Sequence, residues 1–150
     1  MCLLTMELIV VKQHLEDNEN FMSHPDCSDS LYLTINFYKK VGFEEPWVGY
    51  YVRENNQLVG SAAFKGKPVN GKVEIAYGTF SPYQNKGIGT SICRRLVELS
   101  RKTDPTVIIT ARTLPHESYS TRILVKNDFE LQGLVMDEED GEVWEWQYYP

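Results

Sequence analysis

A run of glycines between an extended segment and an amphipathic one constrains this chain more than any other feature. Val73 to Phe80 (V-E-I-A-Y-G-T-F) reads as a strand, and Pro82 ends it because proline cannot donate to a ladder. Gln84-Asn85-Lys86-Gly87-Ile88-Gly89-Thr90 follows. From Gly87 the apolar period changes: Ile88, Ile92, Leu96 and Leu99 share one helical face, widened by Cys93 and Val97. Arg101 and Lys102 sit in the last turn, where cations complement the helix dipole, and Asp104-Pro105 closes the helix. Thr106 to Ala111 (T-V-I-I-T-A) is then a short apolar run, as in a strand buried on both faces. Strand, helix and strand form a crossover, so these two strands are expected to be parallel.

The rest reads as antiparallel. Met6 to Val11 is a first strand. Ser28-Asp29-Ser30 supplies capping residues for a helix carrying Leu31, Ile35, Tyr38 and Val41, which Gly42 is placed to end. Trp47 to Arg53 and Leu58 to Phe64 pair across Asn55-Asn56 as a hairpin, and Lys67 to Gly71 is a turn. Glu117 to Lys126 is a second C-terminal helix with Ile123 and Leu124 inward. Glu130 to Met136 and Glu142 to Tyr148 form a last hairpin across Asp137-Glu138-Glu139-Asp140-Gly141. Alternation lets Val143 face opposite to Trp144 and Trp146, which fits sheet packing. The order is α+β: one domain over residues 1–150 with a mixed sheet of antiparallel hairpins and one parallel crossover.

Composition removes several function classes. The net charge of −6 opposes non-specific nucleic-acid binding and weakly favours a cationic substrate. No apolar run approaches the ~20 residues that span a bilayer. The first residues lack a basic n-region and a cleavage site, so the expected compartment is the cytoplasm. Cys2, Cys27 and Cys93 form no CxxC pair, so neither a disulfide framework nor a metal site is expected. Cys93 reads as core. His14, His24 and His116 have no ligand spacing and suit surface or capping roles.

Glycines at a strand-to-helix turn let a ligand approach the backbone, and the unpaired amides of a helix start bind phosphate. A dinucleotide fingerprint needs a small residue where Ile92 stands, and a Walker loop needs Gly-Lys-Ser/Thr. A pyrophosphate cradle for coenzyme A remains, beside a structural turn without ligand.

Q-N-K-G-I-G resembles the Gln/Arg-x-x-Gly-x-Gly/Ala motif of the Gcn-related N-acetyltransferase (GNAT) superfamily. The context resembles it too: strand, proline turn, motif, amphipathic helix, buried strand, then a helix ending Lys126-Asn127-Asp128-Phe129, where the family has Lys-x-Gly-Phe. F-K-G-K-P-V-N-G-K-V-E-I-A-Y and N-D-F-E-L-Q-G-L-V…D-G-E-V-W-E-W are similar to the ribosomal-protein N-terminal acetyltransferases. The resemblance implies a central, mostly antiparallel sheet of about seven strands flanked by about four helices, with the crossover at the coenzyme site.

It also implies roles. Acetyl-CoA is the co-substrate, with no metal. Its pyrophosphate lies on the amides of Lys86, Gly87, Ile88, Gly89 and Thr90, with Gln84 and Asn85 beginning the turn. Amides near Thr79 and Phe80 stabilise the oxyanion. Glu74 is the general base, or else a solvent-facing or ammonium-anchoring carboxylate. The tyrosine that often protonates the thiolate is replaced by Leu124, and the asparagine that often touches the coenzyme is Glu117. Ser120 is the candidate proton donor and Tyr119 a second choice, against a purely structural Ser120. The acceptor is a small-molecule or peptide amine, and a homodimer is common among similar proteins. The competing readings are an acyl-CoA-binding or regulatory module with impaired catalysis, and an interaction protein whose glycine turn binds nothing.

Overall fold

Asn55 and Asn56 both take left-handed backbone, with φ 52° and 63°. A two-residue hairpin that matches strand twist requires this, and asparagine tolerates it. They join β2 (Gly49–Glu54) to β3 (Gln57–Phe64) as expected. Asn70 and Gly71 do the same before β4 (Lys72–Thr79), and β1 (Met6–Val10) pairs with the outer side of β2. The computed structural model describes residues 6–150, so Cys2 lies outside the described residues.

β5 (Ile108–Thr113) starts two residues later than the apolar run predicts. The Asp104 carboxylate accepts both the N–H and the hydroxyl of Thr106, at 3.0 and 2.7 Å, and so holds a turn there. Pairing begins with Ile108 N–H donating to Gly71 O. β6 (Phe129–Asp137) and β7 (Gly141–Tyr148) complete a seven-stranded sheet ordered β1-β2-β3-β4-β5-β7-β6. Every pair is antiparallel except β4 with β5, so the mixed sheet and its one crossover are as expected.

Helices cover both faces. The short α1 (Glu19–Met22) and α2 (Ser28–Val41) lie on one. The Tyr38 hydroxyl locks α2 down by donating to Val11 O at 2.7 Å and accepting Gly49 N–H at 2.9 Å. Ser28-Asp29-Ser30 does not cap α2. The helix starts at Ser28, and Ser30 Oγ donates to Cys27 O while also bonding the Tyr51 hydroxyl. Gly42 ends α2 at φ 92°, as expected.

On the other face α3 (Ile88–Thr103) buries Ile88, Ile92, Cys93, Leu96 and Val97 against β3, β4 and α4 (Tyr119–Lys126). Cys93 is fully buried, as read. α4 begins at Tyr119 instead of Glu117 because Ser118 and Thr121 cap it reciprocally, each side chain bonding the other's N–H. Leu124 is entirely buried, so a larger tyrosine ring there would have to displace its core neighbours.

Asp128 holds φ 67° at the place where the resemblance has glycine. A left-handed L-residue costs roughly 1–2 kcal/mol, less for Asp. With about 1 kcal/mol for Asp and about 0.5–1 kcal/mol for glycine's unfolded-state freedom, Asp128→Gly is expected to gain at most about 0.5 kcal/mol net, raising Tm by up to about 2 °C in calorimetry. A lower Tm would mean that the Asp128 side chain outweighs its backbone strain.

Candidate active site

The parallel pairing of β4 with β5 runs only from Lys72↔Ile108 to Ile75↔Ala111. β4 continues to Thr79 and β5 to Thr113, so the strands part and leave an open fork. Lys65 N–H donates to Glu74 O and Phe80 N–H to Val59 O, at opposite ends of one unbroken register with β3. Hydrogen-bonded pairs alternate along an antiparallel ladder. The amides of Glu74, Ala76, Gly78 and Phe80 therefore point to β3, and those of Tyr77 and Thr79 point into the fork. Of the two amides the sequence suggested, Thr79's faces the fork, whereas Phe80's is spent on Val59. Tyr77 is the amide that sequence reading missed. Gly60 lets β3 and β4 meet here, since a Cβ on it would lie 2.3 Å from Gly78 O.

The glycine turn sits at the end of this open edge. The Gln84 side-chain amide donates to Thr79 O at 3.1 Å, folding the turn back on β4. Asn85 (φ 64°) and Gly87 (φ 79°) are left-handed. The first helical bond of α3 runs from Ser91 N–H to Gly87 O, so the N–H groups of Ile88, Gly89 and Thr90 have no helical acceptor. Lys86, Arg94 and Arg95, with the carboxylates of Glu54 and Glu98, line a cavity of about 320 Å³ beside this turn. The two glycines serve different purposes. Gly87 is exposed with open space where a Cβ would stand. Gly89 is buried, and a Cβ there would lie 2.7 Å from Ile123 Cδ1 and 3.3 Å from Thr79 Oγ1. Asn127, buried, donates to Thr90 O and Ile123 O and ties α3 to α4.

Glu74 lies on the α2 side of the sheet, before the fork. Its carboxylate bridges Lys65 Nζ at 3.3 Å and Arg112 Nε at 3.8 Å. Arg112 also binds Asp137 Oδ2 at 3.0 Å and Glu145 Oε1 at 3.2 Å. Asp137 Oδ1 accepts the N–H groups of Glu139 and Asp140. Those bonds and the guanidinium hold the Asp137 carboxyl at about 2. The sequence signal for this cluster was a lone arginine ending an otherwise apolar strand.

Ser120 is exposed and shares a cavity of about 390 Å³ with Arg112, His116, Ser118 and Asp140. Glu74 is not in that wall. The Tyr119 ring lies over Gly89, at the start of α3. Glu117 precedes the Ser118 cap and borders a separate groove with Trp144 and Trp146 on the α4 face. The tryptophans thus face away from Glu74 and pack in the sheet. His24 stacks on Phe80, with ring centroids 6.2 Å apart. Among the described residues, no group of three or more His, Cys, Asp or Glu is placed to hold a metal ion. No helix among them is long and apolar enough to cross a membrane.

The sequence matches the family described as "Acetyltransferase (GNAT) domain" over residues 8–130. No curated protein matches it by sequence. The fold is similar to that of RimL, a ribosomal alpha-N-protein acetyltransferase solved with coenzyme A: TM-score 0.68, 15% identity, covering 95% of this chain and 93% of that one. It is similar to a spermidine N-acetyltransferase SpeG chimera from Vibrio cholerae and hSSAT: TM-score 0.68, 13% identity, 95% and 94% covered. It is also similar to the aminoglycoside acetyltransferase AAC(6')-Ib, solved with acetyl-CoA: TM-score 0.66, 21% identity, 97% and 92% covered.

Proposed function

The chain belongs to the acetyltransferase (GNAT) family, and from that premise we propose that it is a single-domain enzyme of the cytoplasm that moves the acetyl group of acetyl-CoA to a primary amine by direct attack. The observation that carries this reading is the fork between β4 and β5, whose free Tyr77 and Thr79 amides lead to the open amides of α3. The fork offers donors to a thioester and its arm; the helix start offers donors and positive dipole to a pyrophosphate.

Acetyl-CoA supplies the activated acetyl group. The Tyr77 amide donates to the carbonyl oxygen as it gains negative charge, at no reorganisation cost. The acceptor amine enters on the α2 face. Nitrogen forms a bond to the acetyl carbon, the C–S bond breaks, and the amine proton leaves toward Glu74. Glu74 is three residues before Tyr77, about 10 Å along a strand, so a water relays that proton. Both cations on Glu74 leave it lone pairs for such a water. The departing thiolate takes a proton from water, directly or relayed through the Ser120 hydroxyl, which regains its proton from solvent.

A thiol with a pKa near ~8.5 leaves well without an acid. Ser120→Ala is therefore expected to cost no more than about 10²-fold in single-turnover transfer, the lower end for such groups. A larger loss would make Ser120 indispensable to the step.

The test of the function is thermal stabilisation by acetyl-CoA, then thiol release with an amine panel: spermidine, kanamycin and a peptide with a free N-terminal serine. Stabilisation and turnover together support the reading. Stabilisation alone would favour a binding module, and neither would favour an interaction protein. Sedimentation in the same buffer tests the homodimer that we also propose.

A further inference from the structure

Arg112 is the first residue of β5 beyond the last parallel pair, Ile75↔Ala111, so it stands at the base of the fork. Its side chain lies on the α2 face and meets three carboxylates from three strands: Glu74 on β4, Asp137 at the end of β6 and Glu145 on β7. We propose that Arg112 is a positioning residue for the acceptor amine, fixing the Asp137–Gly141 turn at the mouth of the fork while orienting Glu74.

The geometry gives each contact a distinct task. Asp137 is the pivot of the turn: one carboxylate oxygen takes Arg112 Nη1, and the other takes the N–H groups of Glu139 and Asp140 at 2.8 and 3.2 Å. Asp140 then forms part of the wall that Arg112, Ser118 and Ser120 also line. Glu139, its neighbour, borders a groove with Phe37 of α2 and Ala76 of β4. The turn thus reaches both hollows flanking the acceptor side, and its only charged tether to the sheet among the described residues is the Arg112–Asp137 pair, since Lys40–Glu138 runs to α2 and is exposed. Glu145 takes Nε and Nη2 on one oxygen, which pins the guanidinium plane so that Nε also faces Glu74. Asparagine or glutamine replacements of these partners cannot reproduce a planar, three-sided charge contact.

This inference rests on the acetyl-transfer reading and on the α2 face being the acceptor side. Its test uses steady-state kinetics of Arg112→Gln, Arg112→Lys, Asp137→Asn and Glu74→Gln, with the panel amine turned over fastest by the wild type. Arg112→Gln and Asp137→Asn are each expected to raise the acceptor KM about tenfold, as loss of a partly buried charge contact would, and the double variant to raise it little further. The KM for acetyl-CoA should stay within about twofold. Arg112→Lys should recover part of the acceptor KM. Hydrogen exchange at the Glu139 and Asp140 amides should speed up in Arg112→Gln and Asp137→Asn, and this readout needs no activity. Glu74→Gln should lower kcat without that exchange change. If Glu74→Gln is silent while Arg112→Gln still raises acceptor KM and exchange, the base assignment fails and the positioning role stands. If Arg112→Gln raises both KM values alike, or leaves acceptor KM and turn exchange unmoved, Arg112 is only a structural cross-link. Should Arg112→Gln not fold, Asp137→Asn decides by the same readouts.

Discussion

Gly87→Asp is expected to weaken acetyl-CoA binding about 100-fold while the free protein stays folded. Gly87 sits at the N-cap of α3 with φ 79° and nothing within 4 Å of where a Cβ would stand. Aspartate in a left-handed conformation costs about 1 kcal/mol, a modest fraction of a domain's stability. Its carboxylate would compete for the Ile88, Gly89 and Thr90 amides and repel a bound pyrophosphate. Hydrogen bonds to charged groups are worth about 1.5–3 kcal/mol each, so losing one and adding repulsion gives roughly two decades in Kd. Gly87→Asn carries the same backbone cost without the charge and should lose far less. Gly89→Asp is a poor substitute, because its side chain would push into buried Ile123 and Thr79 and disturb α3–α4 packing as well as binding. Calorimetric titration of acetyl-CoA into both Gly87 variants is the measurement. Equal, small losses would show that the pyrophosphate does not lie on these amides.

The crossover was legible because three independent signals agreed: the Ile88–Leu96 stripe, the glycine turn and the apolar strand after it. Hairpin turns were legible from Asn55-Asn56 and Gly141, where backbone geometry selects the residue. Element starts were less so. Asp104 and Ser118 each impose a local hydrogen-bonded turn that hydrophobic period does not register, and each moved a boundary by two residues. The site was half legible. The motif located the open amides of α3. Which β4 amides face the fork depends on ladder parity, and that is fixed by pairing with β3, a long-range fact. The Arg112 cluster joins residues 65, 74, 112, 137 and 145, so nothing local in the sequence could assemble it. Leu124 shows the reverse case. Sequence comparison marks it as a missing acid, whereas its burial shows a core residue.

Glu74→Gln is expected to lower turnover at neutral pH by about 10²–10⁴-fold, the usual worth of a general base. Glutamine keeps the shape, but Lys65 and Arg112 sit on different oxygens of Glu74, so its single carbonyl oxygen keeps only one of those contacts, and it cannot take a proton. A lysine-like acceptor has a pKa near ~10.4, so only about one molecule in a few thousand is neutral at pH 7. The wild type removes that proton in the site and should be less steeply dependent on pH. The variant must capture amine that is already neutral, so its rate should climb about tenfold per pH unit until the amine itself titrates. The two profiles then converge at high pH, a behaviour that a folding defect would not produce. The acetyl-CoA affinity should be unchanged, because Glu74 lies on the α2 face, away from the α3 amides. The alternative role, an anchor for the substrate ammonium, predicts a different pattern: a raised acceptor KM, kcat largely retained and no convergence with pH. Single-turnover transfer from pH 6 to 10, at saturating acetyl-CoA and varied amine, separates the two. Parallel profiles with only KM displaced would move Glu74 from base to anchor, and the proton would then have to leave through solvent at the open mouth of the fork.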